Sequence, residues 1–266
     1  MQPIVFGNSS RPLFGVLHPA VGKPSDVGVL LLQPGVHEYE RAHWAFRSLA
    51  SSLAARGHHV LRFDYRGTGD SAGEPEEATV EACVEDARTA WQELREVPGV
   101  RRASIVGMRL GAAIATMACS PAVDRAAAAV SADDVVLWEP VVRGMKYLAE
   151  LEALDASMRL RLLHPARRPV GELAGFSFPP QVRASVARVD VATHGKLDAR
   201  RVLVFVSTAD DEILRLKEAL ERAGSNVQIE ASTSESALVR ASVRQSAVVP
   251  GSDVSQIATR IESAFA

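Results

Sequence analysis

Arg109 is a charged residue at the centre of a glycine-flanked turn, residues 107–111, directly after the apolar run 104–106. The chain beyond the turn is rich in alanine and predicts a helix, so the turn joins a strand to a helix. Small residues in and after the turn let the helix pass close to the strand, which pushes the Arg109 side chain above the sheet edge. A guanidinium stays protonated at any workable pH, so Arg109 can hold or polarise an anion but cannot act as a nucleophile.

Two groups suited to proton transfer, His37 and Glu38, lie in the predicted loop 33–40, which follows the apolar strand pattern of residues 27–32. Imidazole and carboxylate side chains are common general acids and bases in enzymes. For His37, a role at the site and a solvated loop position are equal alternatives. Glu38 is expected either to act as a general base or to pair with Arg109.

Three further carboxylates follow predicted strands. Glu139 comes after the strand pattern 135–138, and Asp210 and Asp211 come shortly after the pattern 202–206. Open α/β sheets bind ligands at the edge where their parallel strands have their carboxyl ends. We therefore expect these carboxylates beside Arg109, although the sequence does not tell which of the two aspartates faces the site.

A charged side chain pushed up at this edge needs a partner. In one interpretation Arg109 pairs within the chain, with Glu38, Glu139 or Asp210, and fills an inactive site. In the other its planar fork binds a carboxylate or another anionic group of a ligand. We favour the ligand contact.

Residues next to these groups are the predicted substrate contacts. Arg143 and Tyr147 are four residues apart, so they share one face of the next predicted helix. A solvated helix face is the equal alternative for this pair. The predicted substrate-binding residues are Val36, Met108, Trp138, Arg143 and Tyr147.

Strand and helix patterns alternate along residues 1–140 and resume in residues 199–266. This alternation predicts one α/β core, with a mostly parallel sheet and helices on both faces. Residues 141–198 carry helical patterns, and no strand-like run appears before residue 202. We expect this block to be a helical cap inserted over the sheet.

Composition excludes several classes of protein. The chain has 266 residues, 47% of them hydrophobic, and a formal net charge of −2, which argues against a nucleic-acid partner. Its two cysteines fall in alanine-rich helical stretches and are expected to be buried thiols rather than a disulfide. We find neither a signal-peptide pattern nor an apolar run long enough to span a membrane. We therefore expect a cytoplasmic protein that needs no metal or cofactor. We expect it to act on a small molecule or peptide, and a homodimer is a possible assembly.

Taken together, four segments resemble an α/β-hydrolase. They are the loop 33–40, the segment 64–71 (Asp-Tyr-Arg-Gly-Thr-Gly-Asp-Ser), the turn 107–111 (Gly-Met-Arg-Leu-Gly) and the strand 202–206 with the aspartates after it. The segment 64–71 is similar to the D-x-R-G-x-G-x-S segment of serine-aminopeptidase-like and lipase-like members. The turn and the run 137–142 look more specifically like the hydrolase-like proteins found with exosortase systems and in some biosynthetic gene clusters, which also tend to carry arginine at this turn. The resemblance implies an α/β-hydrolase fold with a mostly parallel eight-stranded sheet.

In such enzymes the catalytic triad runs in the order serine, acid, histidine, with the serine in a G-x-S-x-G turn. Asp210 or Asp211 fills the acid position, whereas Arg109 stands where the serine is expected. The histidine should lie beyond Glu230, but the last histidine of the chain is His194. The resemblance therefore argues against a covalent serine mechanism.

Two functional hypotheses follow. The first is an atypical enzyme that uses His37 or the carboxylates for acid–base chemistry on a small acyl, ester or peptide-like substrate, while Arg109 holds or polarises an anionic group. Its reaction would be hydrolysis by an activated water, or a non-hydrolytic reaction such as cyclisation, epimerisation or elimination. The second is a pseudoenzyme that retained the fold as a ligand-binding or accessory protein after losing the triad.

Overall fold

A computed structural model describes residues 1–120, 130–160, 171–232 and 251–265. Its strands are β1 (Gln2–Asn8), β2 (Arg11–His18), β3 (Val27–Leu32), β4 (His59–Phe63), β5 (Arg102–Met108), β6 (Ala132–Trp138), β7 (Glu172–Leu173), β8 (Phe176–Ser177), β9 (Ala199–Val206) and β10 (Val227–Ala231). Its α-helices are α1 (Val36–Ala55), α2 (Val80–Glu96), α3 (Leu110–Cys119), α4 (Gly144–Arg159), α5 (Pro180–Ala187), α6 (Asp211–Arg222) and α7 (Gly251–Phe265). Across these described ranges, no helix combines the length and the apolar character that a membrane span requires.

Eight strands form one sheet in the order β1-β2-β4-β3-β5-β6-β9-β10. Strand β2 pairs antiparallel with β1 and β4, and all the other neighbouring pairs are parallel. The predicted mostly parallel, eight-stranded sheet is therefore confirmed. The carboxyl ends of β3, β5, β6 and β9 lie side by side, which brings the chain segments after them to one edge.

Helices cover both faces of the sheet, and each face has its own apolar core. One core packs α1 and α7 against the sheet, with Phe46, Leu53 and Ile257 fully or almost fully buried. The other core packs α2, α3 and α6 against the opposite face, and apolar side chains of α4 join it. Strand β3 is buried at every position, as its continuous apolar sequence predicts for a strand covered on both sides.

Helix α1 begins at Val36, whereas the sequence predicts a loop to residue 40 and a helix only from about residue 43. The Gln33-Pro34-Gly35 segment ends the loop, and no glycine or proline follows until Gly57. The acidic Glu38 lies in the first turn, where it favours the positive end of the helix dipole. The predicted loop position of His37 and Glu38 is therefore wrong: both are helical residues.

The segment 141–198 contains α4, the antiparallel pair β7 and β8, α5 and a short 3-10 turn. The small hairpin was not expected from the sequence, because strands of two residues are too short to show a periodic pattern. Helix α4 packs closely against the end of α5, where a Cβ at Gly144 would lie 1.7 Å from the Val186 carbonyl oxygen. This contact fixes the first turn of α4 relative to α5.

Candidate functional site

The turn between β5 and α3 holds Arg109 in an unusual backbone conformation, with φ 52° and ψ −118°. Non-glycine residues with positive φ are uncommon and store strain. Close packing imposes the turn, because a Cβ at Gly111 would lie 2.3 Å from the Leu32 carbonyl oxygen. The Arg109 amide donates to the Trp138 carbonyl oxygen (2.9 Å) and thereby ties the turn to β6.

Carboxylates from two helices hold the Arg109 side chain. Its Nε donates to Glu38 Oε1 of α1 and its Nη2 donates to Glu150 Oε2 of α4, each at 2.8 Å. The guanidinium carbon also lies 5.3 Å from the centre of the Tyr147 ring, in a cation–π contact. Burial alone would lower the pKa of Arg109, but the neighbouring carboxylates raise it, so the guanidinium is a permanent charge.

Glu38 has a full set of partners. Its Oε2 accepts a hydrogen bond from the Tyr147 hydroxyl (2.8 Å). Its Oε1, which binds Arg109, also lies 3.9 Å from His37 Nε2. Burial alone would raise the pKa of Glu38, but the Arg109 charge, His37 and the hydrogen bonds lower it. Glu38 is therefore a fixed ion-pair partner of Arg109, as one of the two sequence interpretations expects.

A cavity of about 330 Å³ opens beside Arg109, between α4 and the ends of β6 and β9. The predicted site residues that line it are His37, Glu38, Arg109, Glu139, Arg143, Tyr147 and Asp210. Its volume lies at the lower end of the range typical of small-molecule pockets. The structure thus brings together most of the predicted side chains at the expected sheet edge.

Glu139 is the buried carboxylate at the end of β6. Its backbone has φ 45°, and its Oε1 accepts a hydrogen bond from the Ser207 amide (2.6 Å). Burial raises the pKa of Glu139, and the Asp253 charge adds to this, whereas the Ser207 hydrogen bonds and Arg109 oppose it. A carboxyl group with a raised pKa that faces a cavity can both accept and donate a proton.

The structure separates the two aspartates after β9. Asp210 lines the cavity and caps α6, accepting from the Glu212 and Ile213 amides at 3.1 Å. Asp211 is exposed in the first turn of α6 and does not line the cavity. Asp210 also lies 3.4 Å from Lys146 Nζ, so it belongs to an ion network at the rim.

Two predicted substrate contacts lie away from the cavity. Met108 and Trp138 are fully buried in the core beneath α1 and α7, where the Trp138 ring stacks on Phe46. Successive side chains on a strand point to opposite faces, so these last strand residues enter the core rather than the edge. The buried positions of Met108 and Trp138 therefore do not fit the predicted role of these residues as substrate contacts. Val36 begins α1, and its side chain lies outside the described part of the structure.

Sequence reasoning overlooked several cavity residues on α4 and α6. Glu150 follows Arg143 and Tyr147 by seven and three residues, so helical spacing places it on their face and could have identified it. Lys146 and Glu212 form a 2.6 Å ion pair between α4 and α6. No sequence signal joins two helices so far apart in the chain, so this contact could not have been predicted.

The strand order, the strained strand-to-helix turn and the cavity at the carboxyl edge define a protein of the α/β-hydrolase fold. The family described as "Serine aminopeptidase, S33" matches residues 25–221, which is most of the chain. The chain belongs to this family.

Individual proteins resemble this chain either over a short stretch of sequence or over the whole fold at low sequence identity. The Danio rerio lysophosphatidylserine lipase ABHD12 is 39% identical over 64 residues, covering 24% of this chain and only 16% of the lipase. The Pyrococcus furiosus esterase PF2001 has a TM-score of 0.65 at 18% identity, covering 99% of this chain and 90% of the esterase. The bottromycin epimerase BotH, solved with bottromycin A2, has a TM-score of 0.60 at 18% identity, with both chains covered completely. At these identities the solved structures show a shared fold.

Proposed function

We propose that this chain is an atypical α/β-hydrolase-fold enzyme that acts by acid–base chemistry on a small acyl, ester or peptide-like substrate. The observation that carries the proposal is Glu139, a buried carboxyl group with a raised pKa at the wall of a small-molecule-sized cavity. Arg109 takes the position of the family's nucleophile, and the chain has no histidine beyond His194. In this proposal the catalytic group is Glu139 at the end of β6, whereas the family's nucleophile lies in the turn after β5.

The space next to Arg109 supports this relocation. A Cβ at Gly35 would lie 2.7 Å from the Tyr147 hydroxyl, so the tyrosine reaches the loop after β3. That loop commonly supplies an oxyanion-hole amide in this fold. With Tyr147 and Arg109 packed there, a substrate carbonyl has room on the Glu139 side of the cavity instead.

In the hydrolytic form of the reaction, Glu139 removes a proton from water while the water oxygen bonds to the substrate carbonyl carbon. The protonated Glu139 then returns that proton to the leaving group as its bond to the carbonyl carbon breaks. The Arg109 guanidinium has N–H groups beyond the two that bind Glu38 and Glu150, and one of these can donate to the carbonyl oxygen as negative charge develops there. Ser207 and Thr208 line the same wall and offer hydroxyl groups that can orient the water.

Cyclisation and epimerisation also need a base and an acid at one position, so they are alternative reactions for the same site. The sequence resemblance to the hydrolase-like proteins of exosortase systems and biosynthetic clusters supports a biosynthetic role. The fold shared with the bottromycin epimerase supports the non-hydrolytic form. The cytoplasmic setting, the homodimer and the division into core and cap stay predictions from the sequence.

The internal pairing of Arg109 favours a second candidate function, a catalytically inactive ligand-binding or accessory protein. Both carboxylate partners of Arg109 come from the chain itself, as the inactive-site interpretation expects. Under this alternative, Glu139 would contact a ligand without transferring a proton.

Turnover of activated esters and thioesters by wild type and the Glu139→Gln variant tests the proposal. Glutamine keeps the shape and the acceptor oxygen for the Ser207 amide but cannot exchange a proton, so we expect a loss of about 100-fold or more. Glu152→Gln is the matched control, because Glu152 lies on α4 outside the cavity lining and pairs with Arg183. Equal turnover in Glu139→Gln and wild type, or none in wild type, would contradict the hydrolytic proposal and favour the binding protein.

A further inference from the structure

We propose that the cavity beside Arg109 binds a ligand with one cationic nitrogen, an organic ammonium group on an apolar body, and that Glu139 receives the ammonium group. The inference rests on the proposed function and deepens it by naming the ligand class of the same cavity: an ammonium group beside Glu139 keeps the carboxylate ionised, which is the form that removes a proton in the proposed reaction. It also reverses the expectation from the sequence, in which Arg109 would hold an anionic ligand group.

The cations of the cavity wall already have partners. Arg109 is held by Glu38 and Glu150, each at 2.8 Å. Lys146 Nζ lies 2.6 Å from Glu212 and 3.4 Å from Asp210. An anionic ligand would therefore have to displace a carboxylate that is already in place.

Arg143, the third cation of the wall, is likewise paired with Glu212. Two of these three cations are about half exposed, so their ion pairs are individually weak. The buried pair of Arg109 and Glu38 is different, because breaking it would leave an uncompensated charge in the protein. Among the arginines and lysines described at this cavity, an anion thus finds none without a carboxylate partner.

Among the described residues that line this cavity, carboxylates outnumber cations. Five are carboxylates and three are permanent cations, Arg109, Arg143 and Lys146, while His37 is a further titratable group of the wall. The five are Glu38, Glu139, Glu150, Asp210 and Glu212. Among the described residues, Glu139 forms no ion pair within 4.0 Å. A ligand cation at Glu139 would therefore gain a buried partner without breaking an existing pair.

Six apolar side chains also line the cavity. They are Pro140, Val141, Val142, Leu151, Leu154 and Ile213. A cavity of about 330 Å³ with this lining fits the apolar body of a small ligand. Burial of that body contributes affinity, and the carboxylate selects the charge.

Proton release provides a signature of this contact. Burial raises the pKa of Glu139, and a cation beside the carboxylate lowers it. Binding of an ammonium group at mildly acidic pH should therefore release a proton from Glu139. A neutral ligand of the same shape should release none.

Isothermal titration at about pH 5.5, near the range where glutamate titrates, tests the inference with three probes of similar shape. The probes are 2-phenylethylammonium, 2-phenylethanol and 3-phenylpropionate. We expect the ammonium to bind at least about tenfold more tightly than the alcohol, and the carboxylate to bind most weakly. Proton release, measured in two buffers of different ionisation enthalpy, should accompany the ammonium alone. Phenylalaninamide in parallel tells whether an isolated amine or the amine end of a peptide fits better.

The Glu139→Gln variant should lose both the ammonium preference and the proton release, while Glu152→Gln keeps them. Equal or tighter binding of the carboxylate, binding of none of the probes, or an unchanged preference in Glu139→Gln would overturn the inference. Ammonium preference without turnover would instead contradict only the proposed catalysis. Turnover that depends on Glu139 without ammonium preference would contradict only the ligand class.

Discussion

The Arg109 guanidinium is enclosed by Glu38, Glu150 and the Tyr147 ring, so its charge is compensated before any ligand arrives. Glu139 lies at the same edge, but its hydrogen-bond partner, the Ser207 amide, is uncharged, and it forms no direct ion pair with another described residue. The two residues therefore differ in what they can do. Arg109 is a fixed component of the wall, and Glu139 is the group that can change its protonation state.

Arg109→Ala should destabilise the protein by about 3–5 kcal/mol, because it leaves the buried Glu38 carboxylate without its cation. Urea unfolding measures the change in the free energy of unfolding. The double variant Arg109→Ala/Glu38→Gln should recover part of the loss, since the uncompensated charge is gone. Arg143→Ala removes an exposed arginine of the same cavity and should cost much less than Arg109→Ala. Similar losses for Arg109→Ala and Arg143→Ala would contradict the buried-pair explanation.

Glu139→Gln should raise the melting temperature at neutral pH. The pKa of Glu139 is higher in the folded than in the unfolded protein, so its favourable contribution is present at low pH and is lost as pH rises through the folded pKa. Glutamine is neutral throughout, so the advantage of the variant should grow with pH above the ordinary pKa of glutamate. Thermal unfolding from about pH 4 to about pH 7 measures it. An advantage that shrinks as pH rises would show that burial does not dominate this pKa.

Helix α4 is positioned by contacts at several points along its length. Gly144 allows its first turn to approach α5, and Tyr147 reaches both Glu38 and the loop at Gly35. Glu150, one turn further, holds Arg109. The helix thus forms one wall of the cavity and completes the ion pairs at its floor.

Gly35→Ala should weaken the contact between α4 and the sheet, because the new methyl group would lie 2.7 Å from the Tyr147 hydroxyl. The tyrosine can rotate away, at the cost of its hydrogen bond to Glu38, typically about 1 kcal/mol or somewhat more for a charged acceptor. In a Tyr147→Phe background this hydroxyl is absent, so Gly35→Ala should cost much less. Urea unfolding of the two single variants and the double variant measures the coupling. Additive effects would mean that the hydroxyl does not reach the loop.

Periodicity predicted the core elements well and the segment 141–198 incompletely. Alternating strands and helices gave the mostly parallel sheet, because buried strands such as β3 carry continuous apolar runs. The start of α1 was placed too late, since its first turn is polar and shows no apolar period. The hairpin of β7 and β8 was missed because two residues per strand carry no period at all.

For the candidate site, the sequence predicted which strand ends meet and most of the side chains there, but not that Met108 and Trp138 face the core. Glu38, Glu139, Asp210 and Arg109 follow parallel strands, so the topology alone brings them together. Met108 and Trp138 lie one position before Arg109 and Glu139 and are still part of the strands, where successive side chains point to opposite faces of the sheet. The pairing of Arg109 with Glu150 depends on how α4 packs, which local sequence does not encode.

At the scale of the whole molecule, the cavity lies between the sheet and α4, and both sides contribute charge to it. Carboxylates come from α1, from the residue after β6, and from the start of α6 and the residue before it, while α4 supplies Lys146 and Glu150. The proposed chemistry therefore depends on α4, in the described part of segment 141–198, remaining packed at the sheet edge. Removal of this segment would remove Tyr147 and Glu150 and leave Arg109 with one of its two carboxylates.

The ion pairs of Arg109 also affect how the molecule opens. Partial unfolding in proteins proceeds by cooperative units whose free energies range from near zero to that of global unfolding. Detaching α4 alone would expose the apolar face of Leu148 and Leu151 and separate Glu150 from Arg109. Helix α4 should therefore belong to the same cooperative unit as the central strands, and its backbone amides should exchange with deuterium mainly through global unfolding. Ligand entry would then depend on the mobility of side chains at the rim rather than on the detachment of a lid.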